Sequence, residues 1–198
     1  NDNGGAILDE DLFALRVDGD LVLHDVSNDF DVGEHAVTED GLAGYLPGTW
    51  GGDCDSDGNV TLELDQDATC TITNNDISPI LTVINNIVND DGGHIDDPNA
   101  FGLRVNGASV LDSVSIALNV GTHVVSEVGL AGYLPSTWSG DCNPDGSVTL
   151  ALNQSATCTI TNDDISPTLT VVKTIINDNG GPVEDEDAFG LKVDGGVV

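Results

Sequence analysis

The chain copies itself every 88 residues without an insertion. Asn1-Asp2-Asn3-Gly4-Gly5 returns as Asn89-Asp90-Asp91-Gly92-Gly93 and again as Asn177-Asp178-Asn179-Gly180-Gly181. The run from Gly41 to Pro47 returns at Gly129 to Pro135, and Cys54 and Cys70 return as Cys142 and Cys158. A period this long holds a small domain, so the chain reads as an array of near-copies. Its expected organisation is a first repeat over 1–78 lacking its opening strand, a complete repeat over 79–166 and the start of a third over 167–198. The chain also reads as a window cut from a longer protein, since residues 1 and 198 both fall inside a repeat and no signal peptide or membrane-length apolar run is visible.

Each copy must build its core from few large side chains. Aromatic residues make up 4% of the chain and Met is absent, which leaves Val, Ile and Leu around one Trp. Small domains of this kind benefit from a covalent staple. Each repeat has one pair of cysteines, 54/70 and 142/158, with none left over. No second ligand pair accompanies them, so one disulfide per repeat is expected rather than zinc. That places the protein in an oxidising compartment, extracellular or on a cell surface.

Residues 81–88, 101–105, 148–152 and 156–162 are short apolar or alternating runs bounded by Gly, Pro, Asn and Asp turns. Phe101, Leu103 and Val105 fall on one face, and Asn106-Gly107 is a hairpin signal. In the last run Cys158, Ile160 and Asn162 share one face and Thr157, Thr159 and Thr161 the other. Pro135 assigns 133–138 to an edge or corner. No stretch sustains a helical apolar period. The expected fold is all-β: tandem Ig-like β-sandwiches, head to tail.

The charge excludes some partners. With 35 acidic and 4 basic residues the formal net charge is −31. Phosphate backbones and anionic lipid repel such a chain, so neither nucleic acid nor membrane is an expected partner. The acidic residues sit in Gly- and Asn-rich turns, where calcium binding and plain solvation are both open readings. Asp53, Asp55 and Asp57, repeated as Asp141, Asn143 and Asp145, match the start of an alternating Asp loop ending in Gly, without the rest of an EF-hand. Further acidic clusters lie at 1–11, 89–97 and 177–187 and at the junctions 74–76 and 162–164; a cation could bridge two repeats there. His35 and His123 recur without a second ligand at metal spacing, which reads as structural. Asn59-Val60-Thr61 and Asn153-Gln154-Ser155 are sequons at non-equivalent positions. No nucleophile–base pair, phosphate loop or catalytic carboxylate pair assembles, so no enzyme is expected.

Glu127-Val128-Gly129-Leu130-Ala131-Gly132-Tyr133, with its copy at Glu39 to Tyr45, resembles the Glu…Gly-Tyr signature of prealbumin-like domains, the Cna-B or SpaA-type repeats of bacterial surface adhesins and pilins. The Thr-Ile-Thr-Asn endings at Asn74 and Asn162 and the run from Thr168 to Lys173 fit the same pattern. The resemblance implies a prealbumin-like sandwich. In many members it also implies an amide crosslink between a first-strand Lys and a last-strand Asn, promoted by a buried acid. Glu127, Asn162 and Lys173 occupy those positions. The complete repeat has Asn85 in the Lys place, so no such bond is expected within 1–198. The function expected is a structural repeat region of an extracellular fibre, stalk or filament whose partners are neighbouring copies of itself, as a homopolymer or lateral bundle. The rival is an adhesin whose repeats bind glycan or a receptor.

Overall fold

In the computed structural model, residues 1–182 and 189–197 are described; the acidic positions 184–187 lie outside them. Two compact units are present, Asn1–Asp164 and Ile165–Val198. The first contains both long repeats, and the architecture is all-β apart from two single-turn 3-10 helices among the described residues, Glu10–Phe13 and Pro98–Phe101.

The second repeat is a sandwich of two sheets. One has the order Ala108–Ser109, Arg104–Val105, Gly121–Ser126, Ser147–Leu150, antiparallel throughout. The other has the order Ile116–Ala117, Ile80–Val88, Ser155–Asp164, Tyr133–Pro135, with Ser139–Gly140 also paired to Ser155–Asp164. In this sheet the opening strand Ile80–Val88 runs parallel to the closing strand, with Leu81 opposite Ala156, Val83 opposite Cys158 and Asn85 opposite Ile160. Pro135 sits on the edge strand that pairs with Asn162, where its missing N–H costs nothing to an outer neighbour.

Alternation decides what is buried. Along Ser155–Asp164 every second residue from Ala156 to Asp164 faces inward. These side chains meet Leu103, Val105, Val125, Val148 and Leu150 from the other sheet, with Leu81 and Val83 completing the interior. Phe101 is fully buried, but it closes the 3-10 turn Pro98–Phe101 instead of lying on a strand. Asp97 caps that turn by accepting the Asn99 N–H.

The first repeat repeats the scheme with a separate interior. Its sheet of Asp20–Leu21, Leu15–Val17, Gly33–Glu39 and Asn59–Leu62 matches the corresponding sheet of the second repeat strand for strand. Tyr45–Pro47 pairs with Asn74–Asp76 and Gly51–Gly52 with Cys70–Thr71. Val37, Cys54 and Val60 form its core, with Val17, Trp50 and Leu62 against them. Nothing from that cluster is shared with the interior of the second repeat.

The second unit, described by itself, holds a hairpin of Lys192–Val193 and Gly196–Val197. Its residues Leu169, Val172 and Ile176 are exposed. Among the described residues no helix is long and apolar enough to cross a membrane.

Candidate functional site

The chemistry of this chain concentrates where one repeat meets the next. The connecting residues Ile77, Ser78 and Pro79 are bonded into both neighbours. Ile77 N–H donates to the Gly44 carbonyl at 2.8 Å and its carbonyl accepts Asn153 N–H at 2.9 Å. Ser78 Oγ donates to Asn3 Oδ1 at 2.8 Å. The Pro79 carbonyl accepts Leu118 N–H at 3.0 Å, and the Pro79 ring is fully buried. The Asn3 carbonyl accepts Val120 N–H at 2.9 Å across the same joint. All but the Ser78–Asn3 bond join backbone groups, and those hold the chain direction itself.

A strand-end aspartate anchors the opening loop of each long repeat, Asp76 beside this joint and Asp164 at the end of the second repeat. Asp76, 1% exposed, accepts N–H groups of Asp2, Asn3 and Gly5 at 3.1, 3.0 and 2.8 Å. Asp164 accepts those of Asp91 and Gly93 in the same way. The Asn-Asp-x-Gly-Gly motif is thus a nest of backbone donors folded round a carboxylate. Tyr133 Oη donates to Asn89 Oδ1 and accepts Ile95 N–H at 3.2 Å. Its ring stands edge-on to Phe101 at 5.2 Å. A Cβ at Gly93 would lie 2.6 Å from Tyr133 Oη and 2.8 Å from Asp164 Oδ2, which is why the motif ends in glycine. Burial pulls Asp76 upward, but the Gly5, Asp2 and Asn3 donors outweigh it and hold the carboxyl at about 2. Asp164 is pulled up by burial too and held below the usual range by Gly93, Asp91 and Asp90.

Asp90, Asp163 and Asp164 bring three carboxylates within 4.8 Å of one another at the end of the second repeat. Asp163 beside it, then burial, raises Asp90 above the ordinary carboxyl range. This group joins an opening-loop acid to the junction acids 163 and 164.

The alternating Asp loops lie elsewhere, beside the disulfides, and their carboxylates accept N–H groups from their own turns and from the segment across the bridge. Asp53 Oδ2 accepts Thr69 N–H at 2.7 Å, and Asp55 Oδ1 accepts the N–H groups of Asp57 and Asn59 at 3.0 and 2.8 Å. In the second repeat Asp141 Oδ2 accepts Thr157 N–H at 2.7 Å, Asn143 Nδ2 donates to Ser147 Oγ and Asp145 Oδ1 accepts Ser147 N–H. The Asn59 N–H is the largest influence lowering Asp55, and the Ser147 hydroxyl the largest lowering Asp145. These are Asx turns. They frame the bridges Cys54–Cys70 and Cys142–Cys158, whose Cα atoms are 5.0 and 5.1 Å apart. Cys158 is fully buried and Cys142 is 7% exposed.

Glu127 and Asn162 do meet. Asn162, fully buried, donates through Nδ2 to Glu127 Oε2 and to Asn85 Oδ1, both at 2.9 Å. Asn85 fills the opening-strand position beside Asn162 as a neutral amide. Burial raises the Glu127 carboxyl, and the Asn162 amide partly offsets it. Glu39 and Asn74 repeat the pair at 2.9 Å. Lys173, in the second unit, lies with Nζ 3.7 Å above the Phe189 ring, a cation–π contact. The sequence puts Asn85 in the Lys place and Asp76 and Asp164 in the junction clusters, but the loop N–H groups that the two aspartates gather are not legible in it.

A model of a prealbumin-like fold domain, SpaA_2, matches residues 1–72 and 76–160. No curated protein matches. Among solved structures the chain is similar to the major pilin protein (T-13) of Streptococcus pyogenes, at 14% identity and TM-score 0.27, over 67% of this chain and 66% of that one.

Proposed function

The chain belongs to the prealbumin-like (SpaA-type) domain family, and from that premise we propose that it is a structural repeat region of an extracellular fibre, stalk or filament. The domains of this reading are 1–78, 79–166 and one opening at 167. The observation that carries it is the joint: Ile77 to Pro79 are bonded into both repeats and leave the connection little freedom to hinge. A load on one repeat then passes through backbone hydrogen bonds into the next. The bridges Cys54–Cys70 and Cys142–Cys158 limit how far each repeat can lengthen and fit an oxidising exterior. The role is mechanical, not catalytic, and the partners are neighbouring copies of the same chain.

Calcium belongs to this reading as a stiffener. Asp90, Asp163 and Asp164 offer the hard oxygen ligands that calcium takes. Calorimetric titration of the full chain with calcium tests this part, and no heat together with an unchanged melting temperature removes it.

The joint is tested by residual dipolar couplings of the full chain. One alignment tensor shared by 1–76 and 80–164 is the expected result. Two independent tensors mean a hinge, and the proposed function fails.

A further inference from the structure

Each long repeat places a histidine on the strand that pairs with its first hairpin, His35 on Gly33–Glu39 and His123 on Gly121–Ser126. In both, the ring bridges the hairpin turn to the loop that precedes the strand. The turns have the same backbone: φ is 52° and 91° at Asp18 and Gly19, and 51° and 82° at Asn106 and Gly107. The surroundings differ at two charge-bearing positions. Asp18 becomes Asn106, and Asp31 becomes Asn119.

Hydrogen-bond polarity then determines where the ring protons are. Nε2 of each ring faces a backbone carbonyl, Asp31 O or Asn119 O, at 2.9 Å. A carbonyl only accepts, so Nε2 carries a proton in both. Nδ1 of His35 lies 2.7 Å from Asp18 Oδ2, while the other carboxylate oxygen accepts Ala36 N–H at 2.9 Å. An ionised carboxylate only accepts, so Nδ1 of His35 carries a proton as well. Nδ1 of His123 faces Asn106 Nδ2 at 2.8 Å, and that amide cannot be flipped because its Oδ1 accepts Val124 N–H at 3.0 Å. An amide NH2 only donates, so Nδ1 of His123 is bare.

We infer that the residue at the hairpin turn sets the charge of the neighbouring histidine, so that His35 is an imidazolium clamp and His123 a neutral, Nε2-protonated strut. The first repeat therefore carries an ionic tie, His35 to Asp18, that the second lacks. The charged groups facing His35 are Asp18 from the hairpin and Asp31 from the preceding loop; its cross-strand neighbour is Val60, and the Phe30 ring lies 5.4 Å away. Around His123 the corresponding neighbours are Asn106, Asn119 and Val148.

The sign of the pH effect follows. The Asp18 bond, then the Asp31 carbonyl, raise His35 above its ordinary 6.5. Its contribution is complete below that value and is lost as pH rises through the raised one. Asp18 is lowered from 3.8, first by Ala36 N–H and then by His35, so its own contribution is lost only in stronger acid. The clamp is closed below the ordinary histidine range and opens as pH rises through the raised value.

Long-range proton–nitrogen NMR of the labelled full chain tests this directly, because imidazolium and neutral rings have distinct nitrogen shifts. At pH 7 His35 is expected to show two protonated nitrogens, and His123 one protonated and one bare nitrogen at Nδ1. The exchange D18N is expected to convert His35 to the His123 pattern, and N106D to do the reverse. Each variant installs a turn residue that the other repeat already folds with, and the remaining amide spectrum reports that the fold is kept. A neutral His35 at pH 7, a bare Nε2 on His123, or patterns that ignore both exchanges overturn the inference.

Discussion

Reducing the two disulfides should lengthen each unfolded repeat by a fixed amount that the structure sets. Cys142 and Cys158 are separated by 16 positions, and their Cα atoms are held 5.1 Å apart. Sixteen residues pulled straight span roughly 53–58 Å at ~3.3–3.6 Å per residue. The bridge therefore hides about 50 Å of contour per repeat, and about 100 Å across the two. No other cysteine is present to confuse the change. The assay is single-molecule force spectroscopy on the full chain, with and without reductant. Oxidised chains should give one unfolding event per long repeat, and reductant should add about 50 Å to each. Reduction should also lower stability by ~3 kcal/mol per bridge, the loop-closure value for a ring of this size. Contour lengths insensitive to reductant would refute the mechanical role of the bridges. A single event covering both repeats would refute their separate interiors.

Three further outcomes are expected. Asn162→Ala leaves Asn85 Oδ1 and Glu127 Oε2 without their shared donor in a buried place and should cost about 2–4 kcal/mol in chemical denaturation, the cost of stranding two acceptors. Gly93→Ala forces a Cβ against Tyr133 Oη and Asp164 Oδ2; a loss of about 1–3 kcal/mol is expected, and the melting temperature reports it. Because the folded carboxyls of Asp76 and Asp164 are depressed, their contribution is present above the ordinary 3.8 and lost as pH falls, toward about 2 for Asp76. Thermal unfolding should therefore show acid destabilisation below pH ~4 that Asp164→Asn diminishes.

Local chemistry was well expressed in the sequence. Alternation placed Phe101, Leu103 and Val105 on one face, and all three are buried. The Asn106-Gly107 signal is a hairpin turn joining Arg104–Val105 to Ala108–Ser109. Pro135 is at an edge. The acidic loops were harder to read, because an Asp that accepts its own turn N–H groups has the same spacing as one that faces a cation. Asp53, Asp55 and Asp145 each accept at least one backbone N–H, which a string of side-chain names does not display.

The one-dimensional text determined the periodicity, the cysteine pairs, the strand alternation and the excess of negative charge, since each is a property of neighbours or of fixed offsets. Only the folded molecule decided that Ile80–Val88 runs parallel to Ser155–Asp164, that Asn85 takes its place beside Asn162 and Glu127, and that Asp164 gathers the loop at 91–93. Those contacts join residues between 35 and 77 positions apart. The histidines depend on a shorter separation of 17 positions: each proton count rests on which atom of residue 18 or 106 the turn points at the ring.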